Sequence, residues 1–169
     1  MKKSLSERFY INQLLALPIL ALGISACSSQ QSVDFSVVRE SNQCRIQNAG
    51  ISQLSNKKDQ EHAIKALTGF SNSQALNTLK LLFDTHLKTE NLFLVSQGKK
   101  TSAGYGFTIT NKTGSLIAET LTLPITFTSP APGSMSAQVI TSPCLVLGID
   151  SKVHFNRLII DNLELTSPH

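Results

Sequence analysis

The sequence has 169 residues, of which 41% are hydrophobic and only 15% are charged, and this composition suits one globular domain with a substantial core. A chain of this length leaves no room for a second domain. The formal net charge is +4, but Lys2, Lys3 and Arg8 lie at the extreme N-terminus and no run of Lys or Arg is longer than a pair, which argues against the clustered basic face of a nucleic-acid-binding protein.

The N-terminal residues have the pattern of an export signal. A positive start precedes an apolar run over residues 14–22 that is too short to cross a bilayer. Pro18 within this run, and the polar residues that follow from Ser28, disfavour a transmembrane anchor or a buried helix. Ile24, Ser25, Ala26 and Cys27 resemble the lipobox of bacterial lipoproteins. Residues 1–26 are therefore predicted to be a lipoprotein signal peptide, cleaved before Cys27.

Lipid on Cys27 would anchor the protein, because each buried methylene contributes roughly 0.8 kcal/mol and two or more chains hold a protein stably. Membrane lipid is thus the first expected partner, through the acylated cysteine. Residues 27–33 are predicted to be a lipidated polar tether. Ser28 rather than Asp follows the cysteine, and resemblance to lipoproteins then implies sorting to the outer membrane, facing the periplasm or the cell surface.

Residues 34–169 are predicted to form a single α+β domain. An extended segment over residues 33–46 opens it, and a helical pair follows. Ser55 or Asn56 can cap the first helix, and Gly69 fits its end. The second helix is expected to begin at a Ser73 cap, and its apolar residues recur at helical spacing at Leu76, Leu79, Leu82, Phe83 and Leu87.

From Asn91 onward the apolar period changes to two, which is typical of strands. Residues 111–115 are predicted to be a loop between two alternating strands, and Pro124 predicts an edge position or a bulge because proline cannot donate to a ladder. The expected fold is α+β: a twisted, largely antiparallel β-sheet with a two-helix insertion after the first strand. The predicted strand segments are residues 92–95, 105–109, 120–127, 139–149 and 153–165, with breaks near Pro143 and Asn156.

Two sequence motifs in this strand region resemble those of the protease complex subunit PrcB family. Residues 102–109, with Gly104 and Tyr105, are similar to its Thr-Gly-Gly-Tyr-x-Ile motif, although Ala103 replaces the first glycine. The second motif resembles a Pro-x-Pro-Gly loop and a Gln-x-x-Thr-x-Pro strand. Its residues are Pro130, Pro132, Gly133, Gln138, Thr141 and Pro143. The resemblance covers about residues 91–150.

The resemblance implies a lipoprotein subunit that associates with a secreted or cell-surface protease, and it favours binding over catalysis. The loop with Pro130, Pro132, Gly133 and Met135 is a candidate partner loop, because stiff prolines precede a methionine expected to be exposed. A free sheet edge near Pro124 could also accept an extended peptide. Both features have a plainer interpretation as an ordinary loop and a protected edge.

Two other classes of function remain open: a structural envelope lipoprotein without a dedicated partner, and a hydrolase of unrecognised type. Ser134, Asp150 and His154 could be arranged as a triad, but chain spacing alone cannot bring them together. For metal ions, two groups of possible ligands lie close together in the sequence. One is Asp59, Glu61 and His62, and the other is Asp84 and His86. Such groups are common on solvated helix faces. No catalytic residue, metal site or cofactor is predicted.

The cysteines that remain after Cys27 is lipidated form an even pair, Cys44 and Cys144. An exported domain folds where disulfides can form, so these two are expected to be joined. Two buried free thiols are the alternative, because the sequence gives no distance between them.

Overall fold

The computed structural model describes residues 29–68 and 73–166. The predicted signal peptide, Cys27, Ser28, Gly69 and His169 lie outside the described residues. Within those two ranges, no helix is long and apolar enough to cross a bilayer.

The described chain contains two helices and ten strands. The helices are α1 (Lys57–Thr68) and α2 (Ser73–His86). The strands are β1 (Gln31–Ser41), β2 (Ala49–Gln53), β3 (Glu90–Gln97), β4 (Gly106–Ile109), β5 (Thr113–Ile117), β6 (Thr120–Leu123), β7 (Ile125–Thr128), β8 (Cys144–Asp150), β9 (Arg157–Ile160) and β10 (Leu163–Thr166).

Eight of these strands form one sheet in the order β10-β9-β6-β5-β1-β8-β3-β2, and β4 pairs with β7 in a separate ribbon. Every pairing is antiparallel except β6 with β9. The two edge strands β10 and β2 approach each other, so the sheet curls toward a barrel and encloses one of its faces.

The central strands β3 and β8 separate two hydrophobic cores because successive side chains point to opposite faces. Phe93, Val95, Leu145 and Leu147 point into the enclosed core, which also receives residues from β1, β6, β7 and β9. Leu92, Leu94, Cys144 and Val146 point the other way, against the helices. The near-continuous apolar sequence of β8 follows from this burial on both faces.

The helices cover the outer face of β3 and β8. Asn56 caps α1: its side-chain oxygen accepts a hydrogen bond from the Asp59 amide at 3.0 Å, and its side-chain nitrogen donates to the Asp59 carboxylate at 2.7 Å. Ile64 and Leu67 from α1 pack with Phe83 and other residues of α2 in the second core. The predicted helical pair and its apolar stripes are therefore confirmed.

The structure confirms a largely antiparallel α+β fold. The two-helix insertion is found roughly where it was predicted, after the short strand β2. Two other details are corrected. The predicted loop over residues 111–115 is wrong from Thr113, where β5 begins. β1 begins at Gln31, inside the predicted tether.

Gly114 was predicted to lie in a loop, but it lies in β5 for a steric reason. A Cβ at Gly114 would lie 2.6 Å from Leu123 Cδ2 and 2.9 Å from the Thr122 carbonyl oxygen. The glycine that suggested a loop is thus needed for close packing within the sheet.

Pro124 separates β6, which lies inside the eight-stranded sheet, from β7, whose outer side is unpaired in the sheet order. The proline carbonyl accepts the Thr110 amide at 3.3 Å. The predicted edge position therefore holds for β7 and is wrong for β6. The proline stands at the junction because its missing N–H ends the ladder there.

Candidate functional site

The two sequence motifs meet at one end of the curled sheet. Lys100 and Thr141 exchange backbone hydrogen bonds of 2.8 and 3.0 Å, and the Ala103 amide donates to the Ala137 carbonyl at 2.9 Å. The Thr141 hydroxyl also donates to the Ser102 carbonyl at 3.1 Å. We call this region, formed by residues 97–106 and 130–143, the motif end.

Gly104 and Tyr105 hold the first motif against the second. Gly104 has a φ of +95°, and a Cβ on it would lie 3.1 Å from Pro130 Cγ, so glycine suits both the backbone conformation and the contact with the proline. The Lys100 ammonium nitrogen lies 5.1 Å from the centre of the Tyr105 ring, within the range of a cation–π interaction. The Gln97 side chain donates to the Gly106 carbonyl.

A buried disulfide fixes the base of the motif end. Cys44 and Cys144 are joined, as the sequence predicted, with their Cα atoms 5.9 Å apart, and both side chains are fully buried. Next to the bridge, the Pro143 carbonyl accepts the Gln97 amide at 3.0 Å. The Ser142 hydroxyl donates to the Ile46 carbonyl at 2.7 Å and accepts the Ile46 amide at 3.1 Å. The segment before β8 is therefore held to both β3 and the chain after β1.

The outer part of the motif end is exposed. Pro132, Gly133 and Gln138 face solvent. Five large hydrophobic side chains are exposed in the described chain, and three of them, Met135, Val139 and Ile140, fall between residues 135 and 140. Contiguous exposed apolar surface often marks an interaction site, so this stretch is a candidate for one. The predicted partner loop is thus accessible, and Val139 and Ile140 extend its apolar surface beyond the predicted residues.

The region that carries these motifs is also the region that matches a known family. Residues 92–150 match the family model described as PrcB C-terminal. The predicted resemblance is confirmed over that segment, which extends from within β3 to the end of β8. It contains Gly104, Tyr105, Gln138, Thr141 and Pro143, and it leaves out β1 and both helices. No curated protein and no solved structure matches the chain.

The three residues that could form a catalytic triad are not joined to one another by hydrogen bonds in the described structure. The Ser134 hydroxyl donates to the Ala131 carbonyl at 2.7 Å, and the Asp150 carboxylate accepts the Lys152 amide at 2.9 Å. Asp150 ends β8, the strand that begins beside the motif end, and His154 follows it. Seven residues of strand span about 20 Å, which separates Asp150 and His154 from the motif end that carries Ser134.

Two of the residues considered for a metal site have other roles. Asp59 belongs to the cap of α1, and His86 pairs with Glu90 at 2.6 Å. No three His, Cys, Asp or Glu side chains are grouped as metal ligands within residues 29–68 and 73–166.

The structure also shows a polar cluster that sequence reasoning missed. One carboxylate oxygen of Glu90 contacts His86 Nδ1 and accepts a hydrogen bond from the Ser36 hydroxyl at 3.1 Å. A Cβ on Gly148 would lie 2.5 Å from the Ser36 hydroxyl oxygen, so this glycine leaves room for the cluster. The spacing of His86 and Glu90 was a visible signal, but the partnership with β1 depends on the fold.

Proposed function

We propose that this protein is a lipid-anchored, non-catalytic binding subunit of a bacterial envelope or cell-surface protease complex. The match of residues 92–150 to the PrcB C-terminal model carries this proposal. The motif residues of that segment come together at an exposed, apolar end of the domain, which supports binding as their role.

The path of β1 supports an arrangement in which the motif end points away from the anchoring membrane. Gln31 at the start of β1 pairs with Leu116, whereas Ser41 at its end pairs with Cys144, beside the motif end. At roughly 3.3 Å per residue, the strand separates these points by about 30 Å. A tether from Cys27 would therefore enter the domain at the end opposite the motif end.

The membrane part of the proposal is tested by Cys27→Ser, with Ser28→Ala as the control that keeps the acylated thiol. We expect Cys27→Ser to lose incorporation of labelled fatty acid and to leave the membrane fraction, since the thiol is the attachment point. The control should behave as wild type. A Cys27→Ser protein that keeps its lipid label and remains in membranes contradicts the anchor.

The binding part is tested by capturing the full chain from membranes in mild detergent and identifying the retained proteins by mass spectrometry. The proposal predicts one protease or protease-complex component in near-stoichiometric amount. A structural lipoprotein without a dedicated partner would retain none, and that result contradicts the proposed function.

A further inference from the structure

The exposed apolar residues of the motif end lie within six consecutive positions of the chain. Ile140 is exposed by 62%, Val139 by 46% and Met135 completely. Lys100 stands beside them, because it exchanges hydrogen bonds with Thr141, the residue after Ile140. We call Met135, Val139 and Ile140, together with Lys99 and Lys100 of the paired segment, the motif patch.

Within the described chain, some backbone groups of residues 137–141 are hydrogen-bonded to residues 100–103, and others are free to bind a partner. Ala137 and Thr141 bond to residues 100–103, and the Val139 amide bonds back to the Ala137 carbonyl at 3.0 Å. In the described structure the amides of Gln138 and Ile140 have no protein acceptor. A partner segment lying on the patch would therefore meet free donors as well as apolar side chains.

The charge of the region indicates what kind of segment fits. The sequence has no Asp or Glu between Glu90 and Glu119, nor between Glu119 and Asp150, while Lys99 and Lys100 lie in the first of these intervals. Glu40, opposite Leu145 in the ladder, is the acidic residue that β1 brings near this end. The motif patch is thus apolar with a positive border, and carboxylates of a partner would complement it.

We propose that the motif patch binds an apolar segment of a partner protein that carries acidic residues. The proposal rests on the function proposed above and specifies the chemistry of the partner. It favours a protein over a lipid surface, because β1 separates the patch from the end where the tether enters the sheet.

The apolar part is tested with Val139→Ser combined with Ile140→Ser, and the matched control is Leu81→Ser. Leu81 is 69% exposed on α2, so its replacement removes a similar apolar surface elsewhere. In captures of the full chain, we expect the double variant to retain at least tenfold less partner and the control to retain the wild-type amount. Unchanged urea midpoints would show that both variants fold.

The charge part is tested with Lys99→Glu against Lys112→Glu, which makes the same charge change at the start of the β5 hairpin. We expect Lys99→Glu to lower partner recovery severalfold at low salt, with a smaller difference at high salt. Lys112→Glu should recover as much partner as wild type.

A direct binding assay separates the two proposals. Fluorescent peptides that alternate leucine with glutamate, or leucine with lysine, are titrated with the full chain, and vesicles rich in phosphatidylglycerol serve as a third ligand. We expect tighter binding of the acidic peptide and its loss in the double serine variant.

If wild type captures a partner that both patch variants retain equally, the inference is overturned and the proposed function stands. If wild type captures none, the proposed function fails, and preference for the acidic peptide still supports the patch. Equal binding of both peptides, or binding of vesicles alone through the patch, overturns the inference.

Discussion

Breaking the bridge between Cys44 and Cys144 would release a loop with a sequence separation of 100 residues. In the chain-entropy model, a closed loop of that length stabilises the folded state by about 4.7 kcal/mol, because it restricts the unfolded chain. Domains of this size are typically stable by about 5–15 kcal/mol. Loss of the bridge should therefore remove a large fraction of the stability and lower the Tm by on the order of 10 °C.

Two samples separate the cross-link from the packing of the sulfur atoms. Chemically reduced wild type loses the bond and keeps both sulfurs, whereas Cys44→Ala with Cys144→Ala also leaves a cavity, because both sites are fully buried. Urea unfolding should show the reduced protein about 4–5 kcal/mol less stable than the oxidised protein, and the double variant less stable again. If reduction changes the free energy of unfolding by less than about 1 kcal/mol, the entropy argument is wrong for this chain.

Three further predictions concern the cap of α1, the positive-φ glycines and the exposed loop. Asn56→Ala should lower the free energy of unfolding by about 1 kcal/mol, whereas Asn56→Ser, which keeps an uncharged capping oxygen, should lower it by less. Equal urea midpoints for the two variants would contradict the cap. Gly98→Ala should lower the free energy of unfolding by at least about 1 kcal/mol more than Gly133→Ala does. Both glycines have a positive φ, but only at Gly98 would a Cβ lie 2.7 Å from the Ala49 amide nitrogen. Similar thermal melts for the two variants would show that this close approach is unimportant. Removing residues 131–133 should weaken partner capture while changing stability by less than about 1 kcal/mol, and equal partner recovery would remove the loop from the binding surface.

Local periodicity predicted much of this fold because several helices and strands form where the spacing of apolar residues matches their own period. The apolar spacing from Leu76 to Phe83 predicted α2, and the alternation around Phe107 and Leu121 predicted strands. β2 was missed because Ala49–Gln53 has only one large apolar residue, Ile51. Its pairing with β3 makes it a strand, and no local pattern shows that pairing.

The curl of the sheet could not be predicted from the sequence either, because it depends on the parallel pairing of β6 with β9 and on the approach of β10 to β2. The candidate site shows the same division. The two motifs and the cysteine pair were visible in the chain, but their meeting at one end required the fold. Val139 and Ile140 are adjacent β-branched residues at the start of a predicted strand segment, where burial is expected, so their exposure could not be predicted from the pattern.

Photo-cross-linking in living cells tests the central claim most directly, with a photoreactive amino acid at Met135 in one strain and at Ile117 in another. Both side chains are exposed, but Ile117 lies at the opposite end of the domain, next to Leu116, which pairs with Gln31. The account predicts that an envelope or secreted protease component is cross-linked from position 135 and not from position 117. Cross-linking of such a component from position 117 alone, or of none from position 135, would contradict it.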